Sequence, residues 1–570
     1  MTDNSSAQEA RRAIERLYIA MRHLFNRGFY KPLGASGSSI RKALLTLSPE
    51  IYGTVSNPDL VELDGLLYVV DRLPRGIEEC RSVKLISDEG YRESTFVPII
   101  PPRRRRNCYR IDEEQMLIEV TRGRSEIYDI LTHLTFLYIE SEKIRKNAVD
   151  ESGSYRREWL MLEKMVQEAS ARAQSDEEEQ ELDHLESRQT ASYLSSLLGR
   201  TYEEALTACQ RFEKLQDANS LPHFIYWLGK IAIEEYQDRK MEREVTFSSA
   251  LRNRIGNHIY GEMWSNTAKA YILEQGLIKQ PLHIISANPH SVMNTLFAYP
   301  ALEGKVEDRS IEGLAKLLAT GDRPDLQEAV YQMAVEHGMK QIIDSSGTNI
   351  TLQIFDTSKL PLDRLSPELG DVKARIGREK PVILVMDYAF GEQAYETMDE
   401  LLKPYETQEE SYHMNVTSVA VMGKAGILEG DKGDIMIPDA HIFEGTADNY
   451  PFTNRLSKDI FEKHGMKTYD GPMVTVLGTS LQNKDVLEYF QSSSWYAVGL
   501  EMEGAHYQKA IQAHALIRKS ISPEVELRYA YYASDNPLKT GSTLASGPLG
   551  QVGVKPTYMI TLAILIDILT

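Results

Sequence analysis

The second half of the chain alternates short apolar runs with helix-like stretches, and this pattern constrains the fold more than any other feature. Runs typical of buried strands lie at 281–287, 349–355, 381–386, 417–422, 473–477 and 525–533. Helix-like segments separate them, for example at 310–318, 326–337 and 393–402. Strands that alternate with helices predict an α/β domain with a largely parallel sheet. In such sheets, ligands bind beyond the carboxyl ends of the strands.

The first half is predicted to be mainly helical. Apolar residues recur at helical spacing in 7–27 and 119–148, and further helices fit 202–215, 221–239 and 247–274. The acidic stretch 174–188 is typical of a solvated helix or a linker. Because 570 residues exceed one ordinary core, we expect two parts, a mainly helical region at 1–278 and an α/β domain at 279–570. A further division near 150–200 stays open.

Composition and charge indicate which kinds of binding partner and which cellular compartment to expect. A formal net charge of -19 argues against general binding to nucleic acid or to an anionic membrane. The three cysteines, Cys80, Cys108 and Cys209, are too widely spaced for a metal cage or a disulfide framework, which favours a reducing cytoplasm. The apolar run 558–569 is too short to span a membrane and is predicted to be the last buried helix of a domain.

Two acidic motifs follow strand-like runs late in the chain. Glu-Met-Glu-Gly at 501–504 comes after the apolar run 495–500, and Ser-Asp at 534–535 comes after 525–533. The first motif could instead lie on a solvated helix, and the second could be a plain turn or helix cap. Together, however, they supply what cleavage of a nucleoside's N-glycosidic bond requires. One carboxylate must hold the sugar hydroxyls, and one acid must protonate the departing base.

Two glycine-containing turns precede these motifs. A buried-strand pattern at 419–422 runs into Gly-Lys-Ala-Gly at 423–426, and Gly-Asp-Ile-Met-Ile-Pro follows at 433–438. Glycines allow backbone N–H groups to approach a ligand closely. The alternative is an ordinary strand–turn–strand connection. A helix start at 387–394 is a further candidate for an anion site, but Glu392 would repel phosphate, and a carboxylate that favours the helix dipole is the preferred interpretation.

In their order, the four motifs resemble the nucleoside phosphorylase and nucleosidase superfamily. The matching segments are 423–428, 433–438, 499–505 and 533–535, and the resemblance covers roughly 281–570. The Asn-Pro-Leu that follows Ser-Asp is most similar to the AMP nucleosidase branch. The resemblance implies a phosphorylase-like mixed sheet flanked by helices, a purine nucleoside or nucleotide as the substrate, and a homo-oligomer, with no metal and no cofactor.

The resemblance also implies a role for individual residues. Asp535 is at the position of the general acid that protonates the purine at N7, and Ser534 orients it. Glu503 would accept hydrogen bonds from the ribose 2′ and 3′ hydroxyls, and Met502 would pack under the sugar. The remaining predicted substrate-binding residues are Glu501, Gly423, Lys424 and Gly426.

The chain departs from the family pattern in ways that keep alternatives open. Lys424 replaces a small or uncharged residue, and it either contacts a phosphate or points to solvent. The run 285–290 lacks the usual glutamate or phosphate-binding glycine, which leaves His290 as a candidate base or as a structural residue. Arginines are scarce after Arg378, which favours hydrolysis over phosphate-dependent phosphorolysis. A third alternative is a non-catalytic purine nucleotide sensor.

A run of four arginines at 103–106 follows a Pro-Pro pair in the first half. The run is typical of a solvated loop, and binding of a phosphate-rich regulator is the alternative.

Overall fold

The chain divides into two compact units in a computed structural model that describes residues 3–104, 106–173, 183–215, 218–238, 241–446, 448–540 and 549–570. The first unit comprises Met1–Thr121, Glu126–Gly256 and Ser480–Asn483, and the second comprises Arg122–Ser125, Asn257–Thr479 and Lys484–Thr570. The division therefore falls earlier than the predicted 278–279, since the helix Ile259–Glu274 packs within the second unit. Most of the predicted acidic linker, residues 174–182, lies outside the described residues.

The first unit is rich in helices, as predicted, but also contains a sheet. Its helices are α1 Asp3–Arg27, α2 Ala35–Leu47, α3 Leu63–Val70, α4 Gly123–Ala148, α5 Arg157–Ala173, α6 Asp183–Leu198, α7 Tyr202–Phe212, α8 Leu221–Gln237 and α9 Ser249–Gly256. The strands are β1 Phe29–Tyr30, β2 Ser82–Ile86, β3 Cys108–Arg110, β4 Gln115–Glu119 and β5 Glu244–Phe247, in the order β1-β5-β2-β4-β3. Strand β4 is almost wholly buried, so it lacks the alternation that marks a half-exposed strand.

Within the arginine run, Arg103 is exposed as predicted, whereas Arg104 and Arg106 are not solvated. The guanidinium of Arg106 is buried, with Nη1 3.4 Å from Glu126 Oε1, and Arg104 Nε donates to Asp129 Oδ2 at 3.0 Å. Arg105 lies outside the described residues. Ion pairs with α4 therefore explain the burial of these two side chains, and the expectation of a solvated loop is corrected for them.

The helix predicted at 247–274 is two helices. Its first residue ends β5, α9 ends at Gly256, and α10 Ile259–Glu274 begins after His258, which has a left-handed backbone with φ of 54°. A non-glycine residue in this region interrupts a helix because its Cβ crowds the following carbonyl.

The second unit is a three-layer α/β structure. Its further helices are α11 Pro289–Ala301, α12 Ile311–Ala319, α13 Pro324–Glu336, α14 Lys373–Glu379, α15 Gln393–Leu402, α16 Lys458–Glu462, α17 Lys484–Ser492, α18 Gly504–Gln512, α19 Pro537–Thr540 and α20 Val554–Leu569. The strands are β6 Leu282–Ser286, β7 Met339–Ile342, β8 Leu352–Asp356, β9 Val382–Met386, β10 Tyr405–Glu406, β11 Ser411–Tyr412, β12 Val416–Ile427, β13 Ile435–Ile437, β14 Ala440–Phe443, β15 Asn449–Pro451, β16 Thr468–Asp470, β17 Met473–Thr475, β18 Gly499–Glu501 and β19 Glu526–Asp535.

Among the described residues, a large mixed sheet runs in the order β15-β14-β17-β18-β12-β6-β9-β8-β7. Strand β19 adds to β12, and β13 joins β19 to β16. Strands β6, β9, β12 and β19 are parallel, whereas β18 and β13 run antiparallel to their neighbours β12 and β19. The prediction of a mixed sheet flanked by helices in this half is therefore confirmed.

Buried apolar residues cover both faces of the sheet, which explains the continuous apolar runs in the sequence. On β12, Ala420 and Met422 pack with α11, α12, α13 and α20, while Val419 and Val421 pack with α10, α15 and α18. The segment Gly550–Leu569 is long and apolar enough to cross a membrane, by length and composition only, but 72% of it is buried inside the protein. Its apolar residues therefore complete the core of the second unit, as predicted for the last helix.

Candidate active site

The predicted site residues lie on strand β12 or at the ends of the two strands, β18 and β19, that pair with it. At Gly426, β12 pairs with Leu500 of β18 on one edge and with Asp535 of β19 on the other. Adjacent strands lie about 4.8 Å apart, so the backbones of β18 and β19 are about 10 Å apart across β12. Glu503 follows β18 by two residues and Asp535 ends β19. The two motifs thus reach the same level of the sheet from opposite edges of one strand.

Ser534 is the extra residue of a β-bulge. Ala533 pairs with Ala425 and Asp535 pairs with Gly426, so Ser534 has no partner residue in the β12 register. Bulges of this kind redirect side chains and are frequent beside active sites. The sequence motif gave no sign of the bulge, because its residues are ordinary strand or turn residues.

The bulge places the Ser534 hydroxyl between two oxygens. Its Oγ lies 3.0 Å from the Ala425 carbonyl oxygen and 2.5 Å from Asp535 Oδ1. A hydroxyl has one proton to donate. Ser534 is thus placed to donate to either oxygen, and its contact with Asp535 Oδ1 fixes the direction of the acid.

The residue after Asp535 anchors the chain on both sides. Asn536 Oδ1 accepts from the backbone N–H groups of Leu538 and Lys539 at the start of α19, and its Nδ2 donates to the Gly430 carbonyl at 3.1 Å. Asn536 thereby fixes the direction of the chain immediately past the acid.

Glu503 is held by a loop that sequence reasoning did not assign to the site. The backbone N–H of Gly391 donates to Glu503 Oε1 at 2.9 Å, and the residue as a whole is half-buried. Burial and the neighbouring Glu501 raise the pKa of Glu503 to about 8, against the opposing effects of the Gly391 N–H and the Lys424 charge. One oxygen of Glu503 is thus fixed by the backbone of this loop.

Glu501 faces the start of α18. Its Oε2 accepts from the backbone N–H groups of Glu503 and Gly504, and its Oε1 accepts from the Thr475 hydroxyl. Glu501 is 2% exposed, and burial raises its pKa to about 7. Because hydrogen bonds within the fold occupy both oxygens, Glu501 is placed to orient Glu503. Its predicted contact with substrate stays a prediction.

The loop before α15 is itself anchored. Gly391 has φ of +55°, and a Cβ at this position would overlap the Ser125 hydroxyl. That hydroxyl accepts from the Glu392 N–H at 2.8 Å, and Arg124 pairs with the Glu392 carboxylate at 3.0 Å. Glu392 therefore stands at the start of α15, as the sequence indicated, but it also joins an ion pair to a segment 268 positions earlier in the chain.

The loop also contacts the segment 423–426, which was predicted as a glycine turn but instead continues strand β12, because its backbone stays paired with β19. A Cβ on Gly423 would be 3.5 Å from the ring of Tyr388, and the Tyr388 hydroxyl interacts with Tyr532 and with the backbone N–H of Asn288. Met502 lies beside Gly391 at the other end of the loop. Gly423, Gly426 and Met502 are therefore near Glu503, and their predicted contacts with a ligand stay predictions.

Two clefts flank this level of the sheet. One has a volume of about 740 Å³ and is lined by Lys424, His290 and Tyr532. The other has a volume of about 460 Å³ and is lined by Leu428 and Asn536. Lys424 and Leu428 stand on either side of Gly426 in sequence. Among the described residues, Glu503 and Asp535 do not line either cleft.

Two acid–histidine clusters elsewhere were considered as metal sites. They are Glu78, Glu79 and His223 in the first unit, and His258, Asp399 and Glu400 in the second. Basic side chains already neutralise them, since Arg110 lies 2.6 Å from Glu79 and Lys403 lies 2.6 Å from Glu400. They are ion-pair networks with no feature that favours a metal over these partners.

The buried glutamates predict how stability depends on pH. Glu501 and Glu503 have pKa values raised to about 7 and about 8, so the folded protein holds their protons more tightly than the unfolded chain. Their stabilisation is complete below the unfolded pKa and is lost as pH rises through the folded values. We expect the contribution of these two glutamates to the unfolding free energy to fall between about pH 5 and about pH 9, and Glu503→Gln to make the total change over this range less negative by on the order of 1 kcal/mol.

Urea unfolding across this pH range measures the effect. The exposed Glu462→Gln is the matched control and should leave the slope unchanged. Equal slopes in Glu503→Gln and the natural chain would show that the Glu503 proton is bound no more tightly in the folded state.

Solved structures similar to this chain include nucleosidases and a hydrolase, and the similarity is low. One is a 5′-methylthioadenosine/S-adenosylhomocysteine nucleosidase from Helicobacter pylori with butyl-thio-DADMe-Immucillin-A, with 14% identity and a TM-score of 0.31 over 51% of this chain and 99% of that one. Futalosine hydrolase from the same organism has 13% identity and a TM-score of 0.29, over 51% and 98%. A putative methylthioadenosine nucleosidase from Weissella paramesenteroides has 13% identity and a TM-score of 0.29, over 51% and 100%.

No curated protein matches the chain. One family model does, over residues 42–307 and 315–570, and it is described as a family of unknown function, DUF6909. These ranges include most of both units. The chain is therefore a member of the DUF6909 family.

Proposed function

We propose that the second unit hydrolyses the N-glycosidic bond of a purine nucleoside or nucleotide. The observation that carries the proposal is the placement of Asp535 and Glu503 at the same level of the sheet, on opposite edges of β12. The separation of about 10 Å between their strands suits a sugar at one carboxyl group and a base at the other. The AMP nucleosidase branch, closest by the Ser-Asp-Asn-Pro-Leu motif, is part of this proposal.

Asp535 acts on the leaving base. As the bond between C1′ and N9 breaks, its electron pair moves to the purine, and Asp535 donates a proton to N7. The contact between the Ser534 hydroxyl and Asp535 Oδ1 at 2.5 Å supports this role, because it fixes the direction of the carboxyl group. General acid catalysis of this kind contributes about 10²–10⁴-fold to the rate.

Glu503 acts on the sugar. With Oε1 fixed by Gly391, the rest of the carboxylate accepts hydrogen bonds from the 2′ and 3′ hydroxyls and stabilises the positive charge that builds on the ribose. Ionised Glu503 is the form that accepts both hydrogen bonds, and with a pKa raised to about 8 this form gains population as pH rises toward that value. Glu501 is a positioning residue in this proposal, because its carboxyl group accepts the backbone N–H of Glu503.

Water completes the reaction. Its oxygen bonds to C1′, and its proton passes to a base, for which His290 on the wall of the larger cleft is the candidate. The products are a free purine and the free sugar. Few arginines follow Arg378 in the sequence, and this shortage supports water over phosphate as the nucleophile.

The test is direct. The purified full chain is incubated with adenosine, inosine, guanosine, 5′-methylthioadenosine and the 5′-monophosphates, with and without inorganic phosphate, and released base is quantified by chromatography. We expect base and reducing sugar to appear without phosphate. Release that requires phosphate and yields a sugar 1-phosphate would establish phosphorolysis instead. Binding without release from any substrate would favour the purine nucleotide sensor.

A further inference from the structure

A serine, a histidine and an aspartate are linked by close polar contacts at the far end of α18. Helix α18 continues into a π-helical turn, Ala513–Arg518, and His514 lies in this turn. At a rise of 1.5 Å per residue, about 15 Å of helix separates His514 from Gly504 at the start of α18. Turns of π-helix are rare and are often found at functional sites. The proposed purine chemistry uses none of these three side chains.

The backbone turns back at Lys519 and brings Ser520 to His514. Lys519 has a left-handed backbone with φ of 56°, and the His514 carbonyl accepts from the N–H groups of both Lys519 and Ser520. The Ser520 hydroxyl oxygen lies 2.5 Å from His514 Nδ1. Ser520 is half-buried, whereas His514 is fully buried. A molecule from solution therefore meets the serine of this pair and not the imidazole.

Asp399 of α15 lies on the other side of the imidazole, with Oδ1 3.1 Å from His514 Nε2. Burial alone would raise the pKa of Asp399, but the hydrogen bond from His514 and the charge of Arg518 hold it below its usual value. Asp399 is therefore a carboxylate, which only accepts hydrogen bonds. A hydrogen bond between the two groups places the ring proton on Nε2 and leaves the lone pair of Nδ1 facing Ser520.

Arg518 contacts both members of this buried pair. Its Nη1 lies 2.5 Å from Asp399 Oδ1 and 2.8 Å from His514 Nε2. A hydrogen bond between a guanidinium and a carboxylate is stronger than one between a guanidinium and a neutral imidazole, so Asp399 is the preferred acceptor. The side chain of Arg518 is 43% exposed, and water can accept from its other N–H groups. Arg518 thus supports the carboxylate that orients the imidazole.

The residue after Ser520 offers a hydrogen-bond donor that the fold does not use. Ile521 is 7% exposed, yet its backbone N–H has no acceptor among the residues that the structure describes. Buried backbone N–H groups without a partner are rare. In α/β-hydrolases, the N–H of the residue after the nucleophile helps to hold the oxyanion that forms when the serine attacks. Leu516 and Ile517 of the same π-helical turn are exposed and supply apolar surface.

We propose that Ser520, His514 and Asp399 form a second reactive site, which takes an acyl group from an ester with an apolar acyl chain and a good leaving group. The Ser520 oxygen bonds to the carbonyl carbon while its proton passes to His514 Nδ1. The bond from that carbon to the leaving oxygen breaks, and this oxygen keeps the electron pair and takes the proton from Nδ1. Water repeats these steps on the acyl-serine and releases the carboxylic acid. Asp399 is a positioning residue, because it orients the ring through Nε2.

The experiment treats the full-length chain with a fluorophosphonate probe and with p-nitrophenyl butyrate, and peptide mass spectrometry identifies the modified residue. We expect modification at Ser520 and release of p-nitrophenol, both lost in Ser520→Ala and slowed by about 10²-fold or more in His514→Gln. Ser522→Ala, at an exposed serine two residues later, is the matched control and should react as the natural chain does. Equal modification of Ser520 and Ser522 in the natural chain would overturn the proposal.

A second variant keeps the test independent of the stability of the buried imidazole. Because His514 is fully buried, His514→Gln is expected to lower stability as well as reactivity. A thiol beside an imidazole ionises more readily than a solvated one. Iodoacetamide should therefore alkylate the cysteine of Ser520→Cys about 10-fold faster than that of Ser522→Cys. A slower reaction at position 520 than at position 522 would contradict the role of His514 as the base.

The role of Asp399 has its own spectroscopic test. Nitrogen NMR of chains labelled at histidine reports which ring nitrogen carries the proton, and His514→Gln identifies the His514 signals. We expect the proton on Nε2 in the natural chain and on Nδ1 in Asp399→Asn, because an amide can donate to Nε2 whereas a carboxylate cannot. A proton on Nδ1 in the natural chain would overturn the proposal. None of these measurements uses a purine compound, so their outcome does not depend on the proposed hydrolysis of a nucleoside.

Discussion

Asp535→Asn is expected to lower kcat for purine release by about 10²–10⁴-fold and to leave substrate affinity within a few-fold of the natural chain. The amide keeps the shape of the carboxyl group but has no acidic proton to give to N7. The bulge at Ser534 and the pairing of Asp535 with Gly426 involve backbone groups, so they do not depend on the acid. Asp535 is 8% exposed, and an isosteric amide avoids a cavity there.

Single-turnover kinetics and calorimetry on the same preparations measure the two quantities. Asp459→Asn, an exposed aspartate on α16, is the matched control and should match the natural chain in both. Full activity in Asp535→Asn would remove the general acid from the mechanism. Ser534→Ala should reduce kcat less than Asp535→Asn, because Ser534 orients the acid and does not itself supply the proton to the base.

Gly504→Ala is expected to destabilise the second unit by about 1–3 kcal/mol, with a fall of roughly 2–9 °C in Tm. A Cβ at Gly504 would overlap the imidazole of His441 and approach Glu501 Oε1 at 2.8 Å. The imidazole has little room to move, because it is fully buried and stacks on Phe452 with ring centroids 5.2 Å apart. Its Nε2 also lies 3.1 Å from the Tyr531 hydroxyl.

Differential scanning calorimetry measures this loss, and Gly377→Ala is the control. Gly377 lies in α14 with no atom near its missing Cβ, so alanine there should be neutral or slightly stabilising. In a His441→Ala background, Gly504→Ala should destabilise the protein less, because the overlapping ring is gone. An equal loss of stability in both backgrounds would show that the overlap with His441 is not the cause.

Sequence patterns predicted the sheet of the second unit well because its strands are apolar runs buried on both faces. The predicted runs 381–386 and 525–533 correspond closely to β9 Val382–Met386 and β19 Glu526–Asp535. The sheet of the first unit was missed, since β2 and β4 are short strands within a segment of mixed composition. Strand periodicity is weak over five residues, so only tertiary pairing identifies such strands.

At the site, the sequence predicted which motifs follow strands but not where each side chain points. The motif alone does not distinguish the role of Glu501 from that of Glu503. In the fold, Glu501 pairs with Thr475 of the neighbouring strand β17, and this pairing directs the Glu501 side chain toward the start of α18. The contribution of Gly391 could not be predicted either, because its hydrogen bond to Glu503 spans 112 positions. Contacts of this range follow from the assembled fold rather than from local patterns.

The anchor at Ser125 has a practical consequence for anyone who truncates this protein. Ser125 is encoded in the half of the gene that precedes the whole α/β domain, yet its hydroxyl supports the loop whose Gly391 N–H holds Glu503. A fragment that begins at Asn257 would keep both acidic motifs and lose this support. Inactivity of such a fragment would therefore say little about the intact protein, and domain-level screening of family members should retain the full-length polypeptide.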